Sequence, residues 1–315
     1  MKPVIAGLAL ALVLSGCSSD SGPSPGARPV TVSAPSGGSP SSAFPSASES
    51  PSASPTHAEF LPSPNQPIPR DARPLASALE RATAELHRSI DQWTHEGNPS
   101  VGPAPDVVVL QALYQQRTYR FLARHRILAD RALPLLPAGL RRAARANIMA
   151  AVELFSIVRP ISRPSRFRTG PPKPAGVLLG WFRQAEARFR VDWELVAAVM
   201  YVESKFGRVR STSTAGAQVP MQFIPSTWSA YGMGGDIHDP HDSIMGAANY
   251  LHRSGAPSHE RQALFAYNHS GAYVNAVLRY ANQMRRDPRN FYAYYNWQVF
   301  VLTTRGDRRL TGPGL

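Results

Sequence analysis

The sequence is poor in cysteine: Cys17 is the single cysteine in 315 residues. One thiol cannot form a disulfide within the chain, which excludes the disulfide-stapled scaffolds of small secreted proteins. Zinc modules that need several cysteine ligands are excluded for the same reason. The folded part must therefore rely on a hydrophobic core, and a content of 43% hydrophobic residues is sufficient to build one.

Acidic residues are also scarce, with 21 aspartates and glutamates against 34 lysines and arginines, for a formal net charge of +13. The charges of residues 1–70 cancel, because the basic residues there are Lys2, Arg28 and Arg70 and the acidic ones are Asp20, Glu49 and Glu59. The whole excess falls on residues 71–315, which should concentrate near anionic polymers or surfaces. Nucleic acid and an anionic cell-wall matrix are both candidates, and the location of the protein decides between them.

The N-terminal apolar stretch, residues 3–14, is too short to span a bilayer comfortably but has the length of the hydrophobic core of an export signal. It ends in Leu-Ser-Gly-Cys at residues 14–17, which resembles the bacterial lipobox, where the signal is cut before the cysteine and the thiol receives diacylglycerol. An ordinary secretory signal with an incidental cysteine is the alternative. We expect a lipoprotein signal peptide at residues 1–16 and a lipidated Cys17 that anchors the exported chain to the outer face of the cytoplasmic membrane. Nucleic acid is then not expected as a partner.

Serine, proline and glycine dominate the start of the next segment, residues 17–70, for which we predict a disordered tether. Residues 71–160 have helical periodicity and predict a small helical unit. Its basic helix faces could bind anionic wall polymers, or they are simply solvated. Prolines at residues 160–174 predict a linker, after which a second domain covers 175–300 and a tail covers 301–315.

A carboxylate interrupts the apolar stripe of a helix that we expect at about residues 192–204. The stripe includes Val196, Val199 and Met200, and Glu203 occupies its next position. Burial disfavours the charged form of a carboxyl group and raises its pKa, which suits a general acid that must stay protonated near neutral pH. Alternatively, Glu203 lies in a frayed last turn and its side chain reaches water.

Four segments follow one another in the second half of the chain: ESKFG at 203–207, STAGAQVPMQFIPSTW at 213–228, DPHD at 239–242 and AYN at 266–268. In this order they resemble the catalytic core of the soluble lytic transglycosylases, relatives of goose-type lysozyme. The resemblance covers about residues 175–285. It implies a mainly α fold, in which a lysozyme-like catalytic domain that cleaves the glycan strands of peptidoglycan follows the small helical unit and the tether.

The resemblance also implies roles for individual residues. Glu203 matches the sole catalytic acid of the family. The residues matched to substrate binding are Ser204, Ser213, Met221, Gln222, Phe223, Tyr267 and Asn268. Core packing explains Met221 and Phe223 equally well. Where the family usually has glycine, this chain has Val219; glycine would permit positive φ or a close approach of backbone to sugar, and valine resists both, so Val219 is expected to lower turnover.

A second catalytic carboxylate is not evident, although glycosidases ordinarily need two, about 5 to 9.5 Å apart. Glu194 lies roughly two and a half helical turns before Glu203, on the opposite helix face. The resemblance implies that the muramoyl 6-hydroxyl attacks instead and closes a 1,6-anhydro ring, with no metal or cofactor. A lysozyme-like hydrolase that uses water and a catalytically weak wall-binding module remain the alternatives.

Carboxylates and imidazoles cluster around residues 236–242 and could suggest a metal site. A helix start explains them more simply, because Asp239 is a good N-cap, Pro240 fits the first helical position and Asp242 favours the positive helix end. We therefore expect a helix start here and no metal.

Overall fold

The computed structural model describes residues 61–162, 164, 167–213 and 215–315. The expected signal peptide, Cys17 and the tether up to residue 60 lie outside the described residues. The described chain is mainly helical, which confirms the predicted fold class. The helices of the first half are α1 (Ala72–His95), α2 (Asp106–Arg124), α3 (Arg126–Ala132) and α4 (Ala138–Ile157), with a 3-10 helix at Leu133–Leu135.

The second half contains seven helices and a hairpin within the described residues. They are α5 (Ala175–Phe189), α6 (Trp193–Ser204), α7 (Pro225–Tyr231), α8 (Pro240–Arg253), α9 (Glu260–Tyr267), α10 (Gly271–Arg286), α11 (Arg289–Asn296), and the antiparallel strands β1 (Phe300–Thr303) and β2 (Gly306–Arg309). The predicted tail 301–315 therefore contains most of a β-hairpin. None of the described helices combines the length and the apolar composition that crossing a bilayer requires.

Helix α6 forms the centre of the fold because it is apolar on nearly all sides. Every residue from 195 to 204 is buried, whereas the surface helix α1 buries a single stripe that includes Leu79, Leu86 and Ile90. A helix that is hydrophobic all round is stable only inside a protein. Helices α5, α8, α10 and α11 pack around α6 and supply that environment.

The first four helices are not a separate unit, as the sequence had suggested. One hydrophobic core extends from α1 to the residues after α11, and α10 packs along α4. Polar contacts also cross the expected boundary: the Tyr294 hydroxyl donates to Asn147 Oδ1 at 2.8 Å, and the Gln116 side chain bonds both the N–H and the C=O of Gln298 at 2.8 and 2.9 Å. The amphipathic faces of α1–α4 are thus covered by the second half of the chain.

The expected linker, residues 160–174, is fastened at both of its ends. Ile161 exchanges backbone hydrogen bonds with Leu302 and Thr304, beside strand β1. The segment 168–170 pairs with 208–210, directly after α6. The prolines of this segment disfavour a helix, as predicted, but the backbone groups of Ile161, Arg168 and Gly170 bond to neighbouring segments of the chain.

The predicted tether also ends earlier than residue 70. Ile68 packs against the core, and the Arg117 guanidinium donates to the carbonyl oxygen of Gln66 at 2.7 Å. Arg309 reaches Asn65 Oδ1 at 3.3 Å. Residues 61–70 therefore belong to the folded part of the chain.

Candidate active site

Glu203 lies in the last turn of α6, and its side chain is only 6% exposed. The expectation of a frayed, solvated last turn is therefore not met. The Tyr273 hydroxyl, in the first turn of α10, donates to Glu203 Oε1 at 2.7 Å. Sequence reasoning missed Tyr273; the available signal was Ser270, which caps α10 by accepting the N–H of Tyr273 and so fixes the first turn of that helix.

Burial raises the pKa of the Glu203 carboxyl to about 8, and the hydrogen bond from Tyr273 and the charge of Lys205 oppose this increase. At neutral pH the acid form is therefore the main one. Burial and the charge of Arg120 lower the pKa of the Lys205 ammonium to about 7, while Glu203 opposes the decrease. A buried carboxylic acid with a phenol donor is a suitable general acid, because it holds a proton that it can release in the reaction.

The turn after α6 has an unusual backbone. Lys205, Phe206 and Gly207 have φ of 54°, 57° and 82°, a run of three left-handed residues directly after the carboxylate and its neighbour. The Ser204 hydroxyl accepts the N–H of Gly207 at 2.9 Å and Ser204 is fully buried. Ser204 thus supports this turn, and contact between its hydroxyl and a sugar would require the turn to open.

Several residues matched to substrate binding are packed together in the core. The Tyr267 hydroxyl donates to the Met221 carbonyl oxygen at 2.7 Å, and the Phe223 ring lies 5.8 Å from the Tyr267 ring. Met221, Phe223 and Asn268 are all buried. Met221 and Phe223 are thus packed in the core, which is one of the two roles left open for them. Burial and the charge of Glu203 raise the pKa of Tyr267, which this segment contacts, well above its usual value.

Ser213 and Gln222 shape the loop between α6 and α7. Ser213 Oγ accepts the N–H of Ala217 at 2.9 Å, so it closes a tight turn. Gln222 has φ of 56° and its amide donates to the Ser211 carbonyl oxygen at 3.4 Å. Both side chains are buried, and the structure brings them into the loop rather than into contact with Glu203.

Val219 is not among the residues with positive φ, whereas Gln222, three positions later, is. The backbone argument for a glycine at Val219 therefore fails, because valine adopts ordinary φ values without strain. The strained position of this loop is Gln222, and no loss of turnover follows from the backbone of Val219.

Glu203 also borders an open cavity of about 100 Å³. One wall consists of Val202, Glu203, Lys205 and Val209, and the other walls come from parts of the chain far away in sequence. Those parts are Arg120 of α2, residues 154, 155, 158 and 159 at the end of α4, Ile161, Phe167, and residues 299–302 around β1. Sequence reasoning could not find these walls, since no local pattern connects them to the carboxylate.

The cluster at the start of α8 caps the helix, as predicted. Asp239 Oδ1 accepts the N–H of Asp242 at 3.0 Å, and Asp242 Oδ2 accepts the N–H of Asp236 at 2.9 Å. Asp239, His241 and Asp242 place one ligand atom each within 4.8 Å of one another. Because two of these three side chains are already bonded to backbone donors, helix capping accounts for their arrangement.

Residues 180–290 match the family model of the transglycosylase SLT domain. The chain therefore carries an SLT domain there, which confirms the resemblance over the part that contains Glu203, Tyr267 and Tyr273.

Two curated relatives are similar to the chain over this region. Membrane-bound lytic murein transglycosylase F 1 of Alkalilimnicola ehrlichii is 31% identical over 119 residues, which are 35% of this chain and 24% of that protein. Membrane-bound lytic murein transglycosylase F of Thiobacillus denitrificans is 30% identical over 118 residues, 35% of this chain and 25% of that protein. The chain thus spans about a quarter of the length of these relatives. No solved structure gives a significant match.

Proposed function

We propose that the protein is a peptidoglycan lytic transglycosylase that cleaves the MurNAc–GlcNAc linkage and leaves 1,6-anhydro-MurNAc ends. The observation that carries the proposal is the buried Glu203 carboxyl, which accepts a hydrogen bond from the Tyr273 hydroxyl within the SLT match and borders an open cavity. The names of the curated relatives, murein transglycosylases, support the same substrate.

In this mechanism Glu203 protonates the glycosidic oxygen, and the C1–O bond of MurNAc breaks. The resulting carboxylate is stabilised by the Tyr273 hydroxyl, which already donates to Oε1. It then accepts the proton of the muramoyl 6-hydroxyl, whose oxygen attacks C1 and closes the anhydro ring. One group therefore acts as acid and as base, and the proton count balances without water.

The number of carboxylates favours ring closure over hydrolysis. Glu203 is the one carboxylate among the described residues that line the cavity, whereas an inverting or retaining hydrolase places a second one about 5 to 9.5 Å away. Glu194, at the other end of α6, does not line the cavity. A hydrolase and a wall-binding module remain the alternatives that the experiment must separate.

The test is digestion of purified sacculi followed by mass analysis of the released muropeptides. Wild-type protein should release 1,6-anhydro products, and Glu203→Gln should lower the rate by about 10²- to 10⁴-fold because glutamine cannot transfer the proton. Glu194→Gln is the matched control and should cleave like the wild type. Reducing-end products from the wild type would favour the hydrolase, and binding without cleavage by both proteins would favour the wall-binding module.

We further infer that the protein is exported and held at the cell envelope through a diacylated Cys17, which would keep the enzyme close to peptidoglycan. The lipobox-like end of the leader supports this location, and the curated relatives are named as membrane-bound. Two acyl chains are needed for stable anchoring, and a diacylated cysteine supplies them.

Replacing the thiol tests the anchor. Cys17→Ala should move the protein from the membrane fraction to the soluble fraction, or block cleavage of the leader. Fractionation with N-terminal sequencing of the mature chain measures both effects. An unchanged membrane fraction, with a mature chain that begins elsewhere, would contradict lipidation.

A further inference from the structure

The cavity beside Glu203 has three features that the proposed mechanism does not use: its size, its apolar walls and its positive charges. A volume of about 100 Å³ holds several water molecules. It therefore suits a short side group of a sugar rather than a whole pyranose ring. Most of its walls are apolar, including Phe155, Val158 and Phe300, so an occupant with some apolar surface would be favoured.

The charges at the cavity favour an anion. Arg120, Arg159 and Lys205 border it, and Glu203 is the one acidic side chain among its described lining residues. Because the pKa of Glu203 is about 8, this carboxyl adds little negative charge at neutral pH. With Glu203 in its acid form, the described lining residues therefore carry more positive than negative charge.

The three cations are not equally available. Arg120 is paired with Asp307 at 2.8 Å and lies between the rings of Phe155 and Phe300. The Lys205 ammonium donates to the Tyr201 carbonyl oxygen at 2.9 Å and lies over the Tyr201 ring. Arg159 lies two residues after the end of α4, is exposed, and makes no ion pair within the described residues. Among the described cations that line the cavity, it is thus the one most available to a ligand.

We propose that this cavity is a subsite for the lactyl substituent of muramic acid, with Arg159 as the residue that binds its carboxylate or the first peptide carbonyl. The methyl end of the substituent would contact the apolar walls. This proposal rests on the proposed function, since it names the sugar that the acid acts on. It also assigns a role in specificity to α4 and β1, which lie outside the SLT match at residues 180–290.

Binding measurements on the full-length Glu203→Gln protein, called the parent below, test the subsite without turnover. Each further variant is made in this parent. The two probes are a glycan tetrasaccharide of alternating GlcNAc and MurNAc with free lactyl carboxylates, and chitotetraose, which lacks the lactyl group. Arg159→Ala should raise the Kd for the muramyl ligand by about tenfold, because a charge-assisted hydrogen bond is lost. Arg159→Glu should raise this Kd further, and Arg159→Lys should retain most of the affinity for the muramyl ligand. The Kd for chitotetraose should not change in any of these variants.

Two further variants separate the subsite from a general charge effect. Arg145→Ala removes an exposed arginine within α4 that does not line the cavity, and it should bind both ligands like the parent. Val158→Trp fills the cavity without changing charge and should weaken the muramyl ligand selectively. The proposal is overturned if Arg159→Ala weakens both ligands equally or neither, or if Val158→Trp has no effect on the muramyl ligand.

Cleavage by the wild-type protein distinguishes the two proposals. If sacculi yield anhydro products but the Arg159 and Val158 variants bind like the parent, the subsite proposal alone fails. If the wild type cleaves nothing and the parent binds neither probe, the proposed function fails and the subsite fails with it.

Discussion

Tyr273 controls how firmly Glu203 holds its proton. A phenol that donates to a carboxylate oxygen stabilises the charged form and lowers the pKa of that carboxyl, in opposition to burial. General acid catalysis needs the protonated form, so the rate of cleavage should fall as the pH rises through about 8. Above that pH the carboxylate is the main form and the first proton transfer is lost.

Tyr273→Phe should therefore move the alkaline limb of the pH–rate profile to higher pH, because loss of the hydrogen bond raises the pKa of Glu203 further. The rate at neutral pH should decrease by less than about tenfold, since the acid itself remains. Tyr250→Phe is the control, because the Tyr250 hydroxyl donates to the Ala266 carbonyl oxygen instead. An alkaline limb that stays in place, or moves to lower pH, would show that Tyr273 does not act on Glu203.

Single residues also show how far the sequence is informative. Glu203 could be predicted, because a carboxylate on an apolar stripe is visible in the helical period. The pairing with Tyr273 could not, since it joins residues 70 positions apart on two different helices. The argument from positive φ at Val219 failed because sequence alone does not show which loop residue adopts positive φ, and here that residue is Gln222; the effect of Val219 on turnover stays a prediction.

The left-handed turn after α6 is the element that sets the position of the carboxylate. Gly207 has φ of 82°, and a Cβ placed there would meet Met200 and Pro220 atoms at 3.7 and 3.8 Å, an ordinary contact distance. A side chain would fit in the available space, so the cost of a substitution comes from the backbone conformation alone. Gly180, inside α5, offers the opposite case, with no heavy atom within 4 Å of a Cβ and no positive φ.

Gly207→Ala should lower the free energy of unfolding by about 1–2 kcal/mol, because a Cβ disfavours the left-handed region. Gly180→Ala should raise it by about 0.5–1 kcal/mol, since alanine loses less backbone entropy in a helix. Thermal melts should show Tm shifts of opposite sign, about 2–4 °C per kcal/mol. A neutral Gly207→Ala would mean that the turn relaxes away from this conformation.

The helices could be predicted from the sequence, but the contacts of the segments between them could not. The apolar period of α1 and the capping residues of α8 are local signals, and the structure matches both. The pairing of residues 160–170 with β1 and with the turn after α6 depends on contacts between distant segments. A proline-rich stretch looks the same in sequence whether its carbonyl groups face water or a neighbouring strand.

For the whole molecule, the shared core has a direct consequence for fragments. Helix α10, which carries Tyr273, packs along both α4 and α6. Without α1–α4 the apolar surfaces of α10 and α11 would be exposed to water, and the second half of the chain would lose a large part of the burial that stabilises it. The SLT match marks a related region of sequence, not an independently stable unit.

A fragment of residues 175–315 should therefore show no cooperative unfolding transition and should not cleave sacculi. A fragment of residues 61–315 should unfold cooperatively and should cleave sacculi. Near-ultraviolet circular dichroism during heating measures the fold, and muropeptide release measures the activity. Cooperative melting and cleavage by the shorter fragment would contradict a shared core.

Strand β1 lies late in the chain relative to Glu203, although it borders the same cavity. Residues 299–302 border the cavity at Glu203 but follow all eleven described helices in the chain. While the polypeptide is being synthesised or exported, Glu203 emerges before residues 299–302, which form part of the same cavity wall. Contacts between such distant segments form slowly, because a long loop must close first. The proposed activity would therefore appear in a newly made chain only when the segment that contains β1 has docked.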